Sequence, residues 1–290
     1  MGDLVLEPVR VLSADHLDAV AALEREVVAA DGGRLKLEWG TLRSRSGEDV
    51  EDLLWWDGDR LVGFLGIYAF GGAFGELGGM VAPAARRRGI GTALVDAALP
   101  LCAARGIGKV LLVTPRTTPA GAAFAQARGA VLDHSEHALQ LTGPPADGPQ
   151  DARISLRPMR SDAADGSAVD ELLRGAFGAH GPDFSVADDS ERSRRLRAET
   201  VVAERDGTVV GCLRLTRTDD VAGVYGFAVR PDLQGQGIGR DVLRRTCRQA
   251  LADGAALVHL EVEVANERAL GLYTSLGFAP VSTEDYFLLP

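Results

Sequence analysis

Two glycine-rich turns are the segments of this sequence best suited to binding a charged ligand. One covers residues 234–240 (QGQGIGR) and the other residues 86–92 (RRRGIGT). Each follows an apolar run typical of a strand and opens an amphipathic stretch typical of a helix. Glycine permits positive φ and close approach of the backbone, and the first N–H groups of a helix, with its dipole, attract an anion. Both turns are therefore predicted to bind phosphate, with Arg87 and Arg88 adding charge in the first.

A dinucleotide-binding turn is the alternative interpretation of these glycines, and their spacing argues against it. The fingerprint G-x-G-x-x-G needs a third glycine, but Leu94 stands in that place in the first turn and Val242 in the second. The turns also come late in each half, after a predicted hairpin, whereas a dinucleotide-binding fold begins with its turn. A phosphate site of another kind is expected.

The two turns belong to a repeat that relates the two halves of the chain. The segment that begins at Val81 matches the segment that begins at Val229 at an offset of 148 residues, and this offset continues without a gap through Gly129 and Gly277. Residues 142–150 contain turn-forming residues without apolar periodicity, which is typical of a linker. We therefore expect an N-terminal domain at 1–141, a linker at 142–152 and a C-terminal domain at 153–290.

Each half is predicted to contain the same elements in the same order. Runs of β-forming residues at 53–56 and 61–68, and at 200–203 and 208–215, flank tight turns and predict antiparallel hairpins. A third strand ends near Val81 or Val229, a helix follows each glycine-rich turn, and apolar strands come next at 110–113 and 257–264. Helices are also predicted at 15–28 and 163–177. These elements indicate an α/β (α+β) fold with a mixed sheet in each half.

The motif V-x-P-x-x-[QR]-x-x-G-x-G occurs in both halves and resembles the acyl-coenzyme A-binding motif of the GNAT acetyltransferase superfamily. In the second half it is followed by Asn266, Ala269, Tyr273 and Gly277-Phe278, which resemble the second motif of that family, N-x-x-A-x-x-x-Y-x-x-x-G-F. The resemblance covers residues 8–141 and 153–290. It implies two GNAT-like domains, each a splayed, mixed, mostly antiparallel sheet flanked by helices.

The resemblance also implies how acetyl-CoA, the acyl donor of this family, would bind. The pantetheine arm would hydrogen-bond to the third strand beside the opening of the sheet, and the backbone N–H groups of the turn would bind the pyrophosphate. In the second half the contacts would be Phe227, Ala228 and Val229 for the arm, and Gln234, Gly235, Gln236, Gly237, Ile238, Gly239 and Arg240 for the pyrophosphate, together with Asn266. In the first half they would be Gly79, Met80, Val81, Arg87, Arg88, Gly89, Ile90, Gly91 and Thr92.

Acetyl transfer to an amine needs an uncharged amine, stabilisation of the oxyanion and an acid for the departing thiolate. The resemblance implies that Tyr273 is this acid. The alternative is that Tyr273 only packs in the core. Its counterpart in the repeat is Ala125, and the Asn and Phe of the second motif are matched by Thr118 and Ala130. The first half therefore keeps the phosphate turn and lacks the second motif, so the C-terminal domain is predicted to carry the reaction and the N-terminal domain to be catalytically degenerate.

Glu261 is the candidate general base. It lies with Glu263 on a predicted strand whose alternation turns both carboxylates to one face. Its spacing to Tyr273 resembles that of GNAT members that acetylate protein N-termini, in which a Glu on this strand is the base. A solvated or salt-bridged face is the alternative. The third strand of the second half has no acidic residue, whereas the first half has Glu76 there without a partner tyrosine.

Further candidates lie in loops and on the surface. His180 and Asp183 occur in the segment that commonly covers the acceptor site, and the acidic runs at 162–165 and 188–189 are suited to attracting a cationic acceptor. A lone histidine in a loop is, however, more often simply exposed. Trp55 and Trp56 are predicted to belong to the core or an interface.

Composition excludes several classes of function. The formal net charge of −10 argues against a nucleic-acid binder and favours a cationic partner. The three cysteines, Cys102, Cys212 and Cys247, are far apart in apolar surroundings and are predicted to be buried free thiols, with no metal site. No segment approaches the length of a membrane span and no secretion signal is evident. We therefore expect a cytoplasmic protein, monomeric or homodimeric, that does not bind membranes.

The leading hypothesis is an acetyl-CoA-dependent N-acetyltransferase that acts on a primary amine of a small molecule. The two-domain layout resembles GNAT enzymes that acetylate a cysteinyl aminosugar conjugate, although Gly223 stands where those enzymes have an acidic substrate contact. Acetylation of protein N-termini remains an alternative. A non-enzymatic acyl-CoA sensor is the alternative from a different class.

Overall fold

The computed structural model describes residues 4–69, 74–178 and 191–290. The loop candidates His180 and Asp183, and the acidic pair Asp188 and Asp189, lie outside the described residues. The chain forms two compact units. Unit 1 comprises Met1–Glu136 and Ser282–Pro290, and unit 2 comprises His137–Val281.

The first half of the chain contains the elements predicted for it. The helix predicted at 15–28 begins after Ser13, whose hydroxyl accepts a hydrogen bond from the backbone N–H of His16 (3.1 Å). The hairpin and the helix after the glycine-rich turn are also confirmed. In chain order the elements are β1 (Leu4–Val9), α1 (Ala14–Asp31), α2 (Trp39–Leu42), β2 (Asp52–Asp57), β3 (Arg60–Tyr68), β4 (Phe74–Val81), α3 (Ile90–Ala104), β5 (Lys109–Pro115), α4 (Pro119–Ala127) and β6 (Val131–Leu141).

The second half repeats this order. The predicted hairpin around residues 205–207 and the predicted helix at 163–177 are confirmed. The elements are β7 (Ile154–Pro158), α5 (Ala163–Phe177), α6 (Glu191–Glu199), β8 (Thr200–Arg205), β9 (Thr208–Thr218), β10 (Val221–Val229), α7 (Ile238–Ala252), β11 (Leu257–Glu263), α8 (Glu267–Ser275) and β12 (Ala279–Leu288).

The sheets of the two units are mixed and mostly antiparallel, as predicted. The strand order is β1-β2-β3-β4-β5-β12 in unit 1 and β6-β11-β10-β9-β8-β7 in unit 2. The parallel pairs are β4–β5, which ends at Gly78 opposite Val113, and β10–β11, which ends at Val224 opposite Leu260. Both pairings stop before any of the four strands ends. Each sheet therefore opens between its parallel strands, which confirms the splayed fold.

The closing strand of each half crosses from its own unit into the other unit. β6 passes from unit 1 into unit 2, and β12 passes from unit 2 into unit 1. In unit 1, β12 pairs with β5 from Glu284 opposite Pro115 to Leu288 opposite Leu111. The units of the structure therefore differ from the domains expected from the repeat at residues 137–141 and 282–290. The repeat does not reveal this difference, because the apolar alternation of a strand is the same whichever sheet it joins.

A β-bulge distinguishes the third strand of unit 2 from that of unit 1. The register of β10 against β9 shifts between Tyr225 and Ala228, where two residues of β10 face one residue of β9. The pairing of β3 with β4 has no such shift. Because of the bulge, Gly223 occupies the position in unit 2 that Glu76 occupies in unit 1. The 148-residue offset that begins at Val81 therefore does not extend back to the first part of β10, where the structural offset is one residue smaller.

The linker at 142–152 has no helix or strand, as predicted, but it is attached to unit 2. The backbone N–H of Ala146 donates to the carbonyl of Leu276 (3.0 Å). Arg244 on α7 is 2% exposed and donates to the carbonyl of Pro149 and to Asp241 (2.9 Å). The composition of the linker predicted its irregular backbone but not this attachment, because the partners come from α7 and from the residue after α8.

The three cysteines are buried free thiols, as predicted. Burial raises the pKa of Cys212 and of Cys247 to about 12, which keeps both thiols protonated and unreactive at neutral pH. Trp55 and Trp56 pack against the core of unit 1, as predicted. No helix within the described ranges is long and apolar enough to cross a membrane.

The assignment of β12 to unit 1 can be tested with two phenylalanines of the second half. Phe287 is 5% exposed in the core of unit 1, and Phe278 is 3% exposed in the core of unit 2. Phe287→Ala should destabilise unit 1 by about 3–5 kcal/mol. Because all three tryptophans (Trp39, Trp55 and Trp56) lie in unit 1, this loss should move the urea transition followed by tryptophan fluorescence.

Phe278→Ala is the matched control for this measurement. It should move the transition followed by far-UV circular dichroism and leave the fluorescence transition in place, because it opens a cavity in unit 2. A fluorescence transition that moves equally in both variants would contradict the assignment of β12 to unit 1.

Candidate functional site

The two glycine-rich turns have the same backbone conformation. Gly237 precedes α7 with φ 84° and ψ −5°, and Gly89 precedes α3 with φ 83° and ψ −1°. Each turn has a second residue in the left-handed conformation two positions earlier. This residue is Gly235 in unit 2 (φ 79°) and Arg87 in unit 1 (φ 63°). Neither helix start is capped by the side chain of its N-cap residue. The first N–H groups of each helix therefore lie at a turn that fits an anion.

Two guanidinium groups border the turn of unit 2. Arg240 donates to the hydroxyl of Ser275 (3.0 Å), and Nη2 of Arg268 lies 3.9 Å from the position that a Cβ on Gly235 would occupy. Gln234 has a structural role, since its side-chain amide donates to the carbonyl of Val229 (3.0 Å). Arg268 was not among the predicted site residues, although it is an exposed arginine in the first turn of the helix that follows the apolar strand.

Two of the three arginines of the turn in unit 1 have carboxylate partners. Arg86 forms a bidentate ion pair with Asp31 (2.8 and 2.6 Å), and these hydrogen bonds raise the pKa of its guanidinium. Arg88 lies 3.4 Å from Asp57, and Arg87 is exposed. The predicted residues Arg87 and Arg88 are thus at the surface beside the turn, whereas Arg86 fastens the turn to the end of α1.

The predicted pantetheine contacts of unit 2 lie next to its turn. A Cβ on Gly239 would be 3.4 Å from the ring of Phe227 and 3.5 Å from Val229. Ala228 points to the other side of the sheet, where it is buried in a cluster with Cys212. The side chains of Phe227 and Val229 therefore face the helix, and the structure brings the two predicted sets of cofactor contacts together.

Unit 1 has the equivalent arrangement. A Cβ on Gly91 would be 3.8 Å from Val81, while Met80 is buried in the core. A Cβ on Gly79 would meet the carbonyl of Phe64 at 2.9 Å, so glycine is required there by space alone. Both units therefore keep a strand that leads directly to a turn whose geometry fits an anion.

The bulge changes the backbone at the opening of unit 2. Gly226 has φ 55°, and residues 226 and 227 lie between the two registers of the β9–β10 ladder. Extra residues in a bulge do not pair regularly with the neighbouring strand, and bulges recur beside active sites for this reason. The bulge therefore provides backbone groups at the point where the parallel strands have just separated.

Tyr273 is buried on α8. It is 9% exposed, and its ring makes an edge contact with Phe278 at 6.1 Å between centroids. Burial raises the pKa of its phenol to about 12, so the hydroxyl keeps its proton at neutral pH. Within the described residues this hydroxyl makes no hydrogen bond. Its counterpart in unit 1, Ala125, is completely buried and has no group that can donate a proton.

Glu261 lies near a histidine that was not predicted as a site residue. The carboxylate of Glu261 is 3.8 Å from Nε2 of His259, which is 8% exposed, and alternation places both on one face of β11. Tyr273 belongs to the cluster of apolar residues on the opposite face of β11. The two predicted catalytic residues are therefore not in contact, and they approach the opening of the sheet from opposite faces. His259 could have been predicted to lie on the same face as Glu261, because the two residues are two positions apart on the strand β11.

The remaining predicted contact of the second motif, Asn266, caps α8. Its side chain accepts a hydrogen bond from the backbone N–H of Ala269 (3.1 Å). Capping of the helix by Asn266 accounts for the three-residue spacing between the Asn and the Ala of the second motif, with no ligand needed. Among the described residues, no group of three or more His, Cys, Asp or Glu side chains is arranged to hold a metal ion.

A tyrosine and an arginine flank the same face as Glu261 and His259. Tyr225 lies opposite Arg214 in the β9–β10 ladder, and the guanidinium stacks on its ring at 5.0 Å. A Cβ on Gly223 would lie 2.6 Å from Tyr225 and 2.8 Å from Thr216. The space beside Gly223, the position that matches Glu76 of unit 1, is thus filled by the neighbouring tyrosine.

Comparison with known proteins connects this geometry with acetyltransferases. Residues 20–130 and 167–278 match the acetyltransferase (GNAT) family. The mycothiol acetyltransferase of Propionibacterium freudenreichii subsp. shermanii is 31% identical, over 98% of this chain and 92% of that protein. The mycothiol acetyltransferase of Rhodococcus jostii is 32% identical, over 93% of this chain and 95% of that protein.

Solved structures of the same family share the fold over the whole chain. A GCN5-related N-acetyltransferase from Sphaerobacter thermophilus has a TM-score of 0.77 at 18% identity and covers 98% of this chain and 95% of its own. A tandem GNAT protein from the clavulanic acid biosynthesis pathway has a TM-score of 0.70 at 20% identity and covers 99% of this chain and 98% of its own.

The conformation of the turn in unit 2 predicts unequal effects of two similar substitutions. Gly237→Ala should destabilise unit 2 by roughly 1–2 kcal/mol, because an L-residue is strained at φ 84°. Gly239→Ala is the control within the same turn. Gly239 has ordinary φ, a Cβ there would have its nearest contact at 3.3 Å, and alanine favours the helix, so the change should stay within about 1 kcal/mol. Urea unfolding followed by circular dichroism measures both, and equal losses would refute the role of the left-handed position.

Proposed function

Since this chain belongs to the GNAT acetyltransferase family, we propose that it transfers an acetyl group from acetyl-CoA to a primary amine of a small molecule, and that unit 2 carries the reaction. The main support for choosing unit 2 is a difference between the two units. Unit 2 combines the anion-binding turn with a bulged third strand and a buried, protonated tyrosine, whereas unit 1 has the turn, an unbulged strand and Ala125.

The residues of unit 2 fit acetyl-CoA as donor. The uncapped start of α7, with Arg240 and Arg268 beside it, suits the pyrophosphate. The backbone of residues 227–229, beyond the last pair with β11, suits the amides of the pantetheine arm. With the arm along this strand, the thioester would lie at the bulge, where a backbone N–H is suited to stabilising the oxyanion.

The proposed reaction begins with attack of the neutral amine on the thioester carbonyl. Glu261, with His259 beside it, accepts the proton that the amine loses as the new C–N bond forms. Collapse of the tetrahedral intermediate breaks the C–S bond, and Tyr273 gives its proton to the departing thiolate. Because burial raises the pKa of Tyr273 to about 12, the phenol is protonated at neutral pH and holds the proton that the departing thiolate needs.

A narrower candidate is the reaction named by the relatives, mycothiol acetylation. Its support is the similarity over more than nine-tenths of both chains to proteins of that name. This chain departs from the pattern expected for that reaction at Gly223, where an acidic substrate contact is expected. An acidic side chain there would collide with Tyr225 and Thr216. The face proposed for the acceptor instead carries Tyr225, Arg214, His259 and Glu261. The broader proposal is therefore a small-molecule amine whose contacts near the reacting nitrogen differ from those expected for the mycothiol reaction.

The acid role of Tyr273 is tested by release of CoA across a panel of amines. The panel includes a cysteinyl aminosugar conjugate, an aminoglycoside, a polyamine and a peptide with a free N-terminus. Tyr273→Phe keeps the packing and removes the proton, so kcat should fall about 10²–10⁴-fold with little change in KM for acetyl-CoA.

Equal kcat in the wild type and in Tyr273→Phe would reject the acid assignment. Phe278→Tyr serves as a matched control in the same aromatic contact, because it changes the neighbouring ring and not the donor. Tight binding of acetyl-CoA without turnover of any amine would favour the alternative of a non-enzymatic acyl-CoA sensor.

The number of acetyl-CoA sites follows from the equivalence of the two turns. Gly239→Glu and Gly91→Glu each place a carboxylate at one turn, where repulsion should block the pyrophosphate. Isothermal titration calorimetry of the wild type should therefore give two sites, and each variant one. A stoichiometry that Gly91→Glu leaves unchanged would show that unit 1 does not hold acetyl-CoA in the proposed way. Activity should be lost with Gly239→Glu and kept with Gly91→Glu.

A further inference from the structure

A buried lysine lies at the opening of the sheet in unit 1. Lys36 is 8% exposed and belongs to the segment between α1 and α2. Its carbonyl lies 2.8 Å from the position that a Cβ on Gly78 would occupy. Gly78 is the last residue of β4 that pairs with β5. The segment therefore crosses β4 at the level where the two parallel strands separate.

Side chains from three strands of unit 1 hold the Lys36 ammonium. Nζ lies 3.3 Å from Glu76 on β4 and 3.7 Å from Glu136 on β6, and it donates a hydrogen bond to the hydroxyl of Tyr286 on β12. Tyr286 in turn donates to Glu136 (2.5 Å). Tyr286 lies opposite Val113, the β5 residue that pairs with Gly78. The ammonium is thus fixed beside the end of the parallel pairing.

The corresponding level of unit 2 has different chemistry. Leu111 and Val113 on β5 correspond in the repeat to His259 and Glu261, and they pack beneath Tyr286. Tyr286 itself corresponds to Ala138. Where unit 2 has the proposed base, unit 1 therefore has apolar strand residues, a phenol and an ammonium that comes from its own chain.

We propose that the Lys36 ammonium occupies the acceptor-amine position of unit 1, in a site that recognises a primary alkylammonium ion. With a pantetheine arm along residues 79–81, the thioester would lie near the end of the parallel pairing of β4 and β5. An acceptor amine must reach this point, and the Nζ atom of Lys36 lies beside it, between Glu76 and Tyr286. The carboxylates of Glu76 and Glu136 favour the protonated nitrogen, which has no lone pair for attack.

The consequence is that unit 1 retains acyl-CoA without transferring its acyl group. This consequence rests on the proposed function, because it requires acetyl-CoA at the turn of unit 1. The ammonium site itself does not depend on the cofactor. The two parts are therefore tested by separate measurements, and failure of one is distinguishable from failure of the other.

The site is tested by removing the ammonium and returning it as a free ion. Lys36→Ala deletes a group of the size of n-propylammonium from its place beside the carboxylates of Glu76 and Glu136. The variant should lower the Tm of the unit 1 transition, followed by tryptophan fluorescence, by roughly 10 °C, the loss expected when one partner of a buried ion pair is removed from a unit of this size. Added n-propylammonium should restore most of this loss in a saturable way.

The chain offers a matched control because Lys36 and Lys109 are its only lysines. Lys109 is 37% exposed and pairs with Asp133 at 3.0 Å, so Lys109→Ala should change the Tm little and show no response to n-propylammonium. The neutral probe n-propanol should not rescue Lys36→Ala. Absence of rescue by n-propylammonium, or equal rescue by n-propanol, would overturn the ammonium site.

A second variant keeps the test valid if Lys36→Ala does not fold. Lys36→Met fills the space without the charge, so it should fold with a lowered Tm that n-propylammonium does not raise. A rise in the Tm of Lys36→Met on addition of n-propylammonium would show that the ion acts elsewhere and would overturn the ammonium site.

Retention of the acyl group is tested on the wild type with acetyl-CoA and peptide mapping by mass spectrometry. Lys36 should remain unacetylated in the folded protein, whereas exposed Lys109 should be acetylated slowly by the thioester without catalysis. Acetylation of Lys36 ahead of Lys109 would overturn the proposal, since the nitrogen would then be a nucleophile and not a fixed ammonium.

Discussion

In each unit, one pair of parallel strands stops pairing before either strand ends. Beyond the last parallel pair, the third strand pairs only with the strand on its other side. A ligand with amides of its own can therefore hydrogen-bond to the backbone groups that face the opening. The same strand leads directly into the glycine-rich turn, where uncapped N–H groups at the start of a helix suit an anion. A molecule with a peptide-like arm and a pyrophosphate therefore matches a single continuous surface of this fold.

The two units differ in what lies at that opening. In unit 2 the bulge at residues 226–227, the protonated Tyr273 and the pair of His259 and Glu261 supply groups suited to acyl transfer. In unit 1 the third strand is regular, Ala125 replaces the tyrosine, and the ammonium of Lys36 lies among carboxylates at the same level. The two units thus share a scaffold and differ in the chemistry of the groups at the opening of the sheet.

The assignment of the closing strands gives unit 1 residues that its own half of the sequence lacks. The first half has Ala125 in place of the tyrosine of the second motif, yet β12 brings Tyr286 into the cluster that holds Lys36. Lys36 and Tyr286, which share a hydrogen bond, are 250 positions apart. The linker is likewise part of unit 2, held by Arg244 and Asp241. The halves related by the repeat are therefore not the units that pack as single cores.

Local patterns in the sequence determined the elements, the glycine-rich turns, the buried cysteines and the family, because each depends on residues within one or two turns of the chain or on a short motif. The turn at Gly237 follows from glycine alone, since few other residues adopt its φ. Only the tertiary structure decided which sheet β12 joins, where the bulge interrupts β10, and which groups surround Lys36 and Glu261. These outcomes depend on pairing between segments far apart in the chain, where many registers satisfy the same alternation and packing selects one.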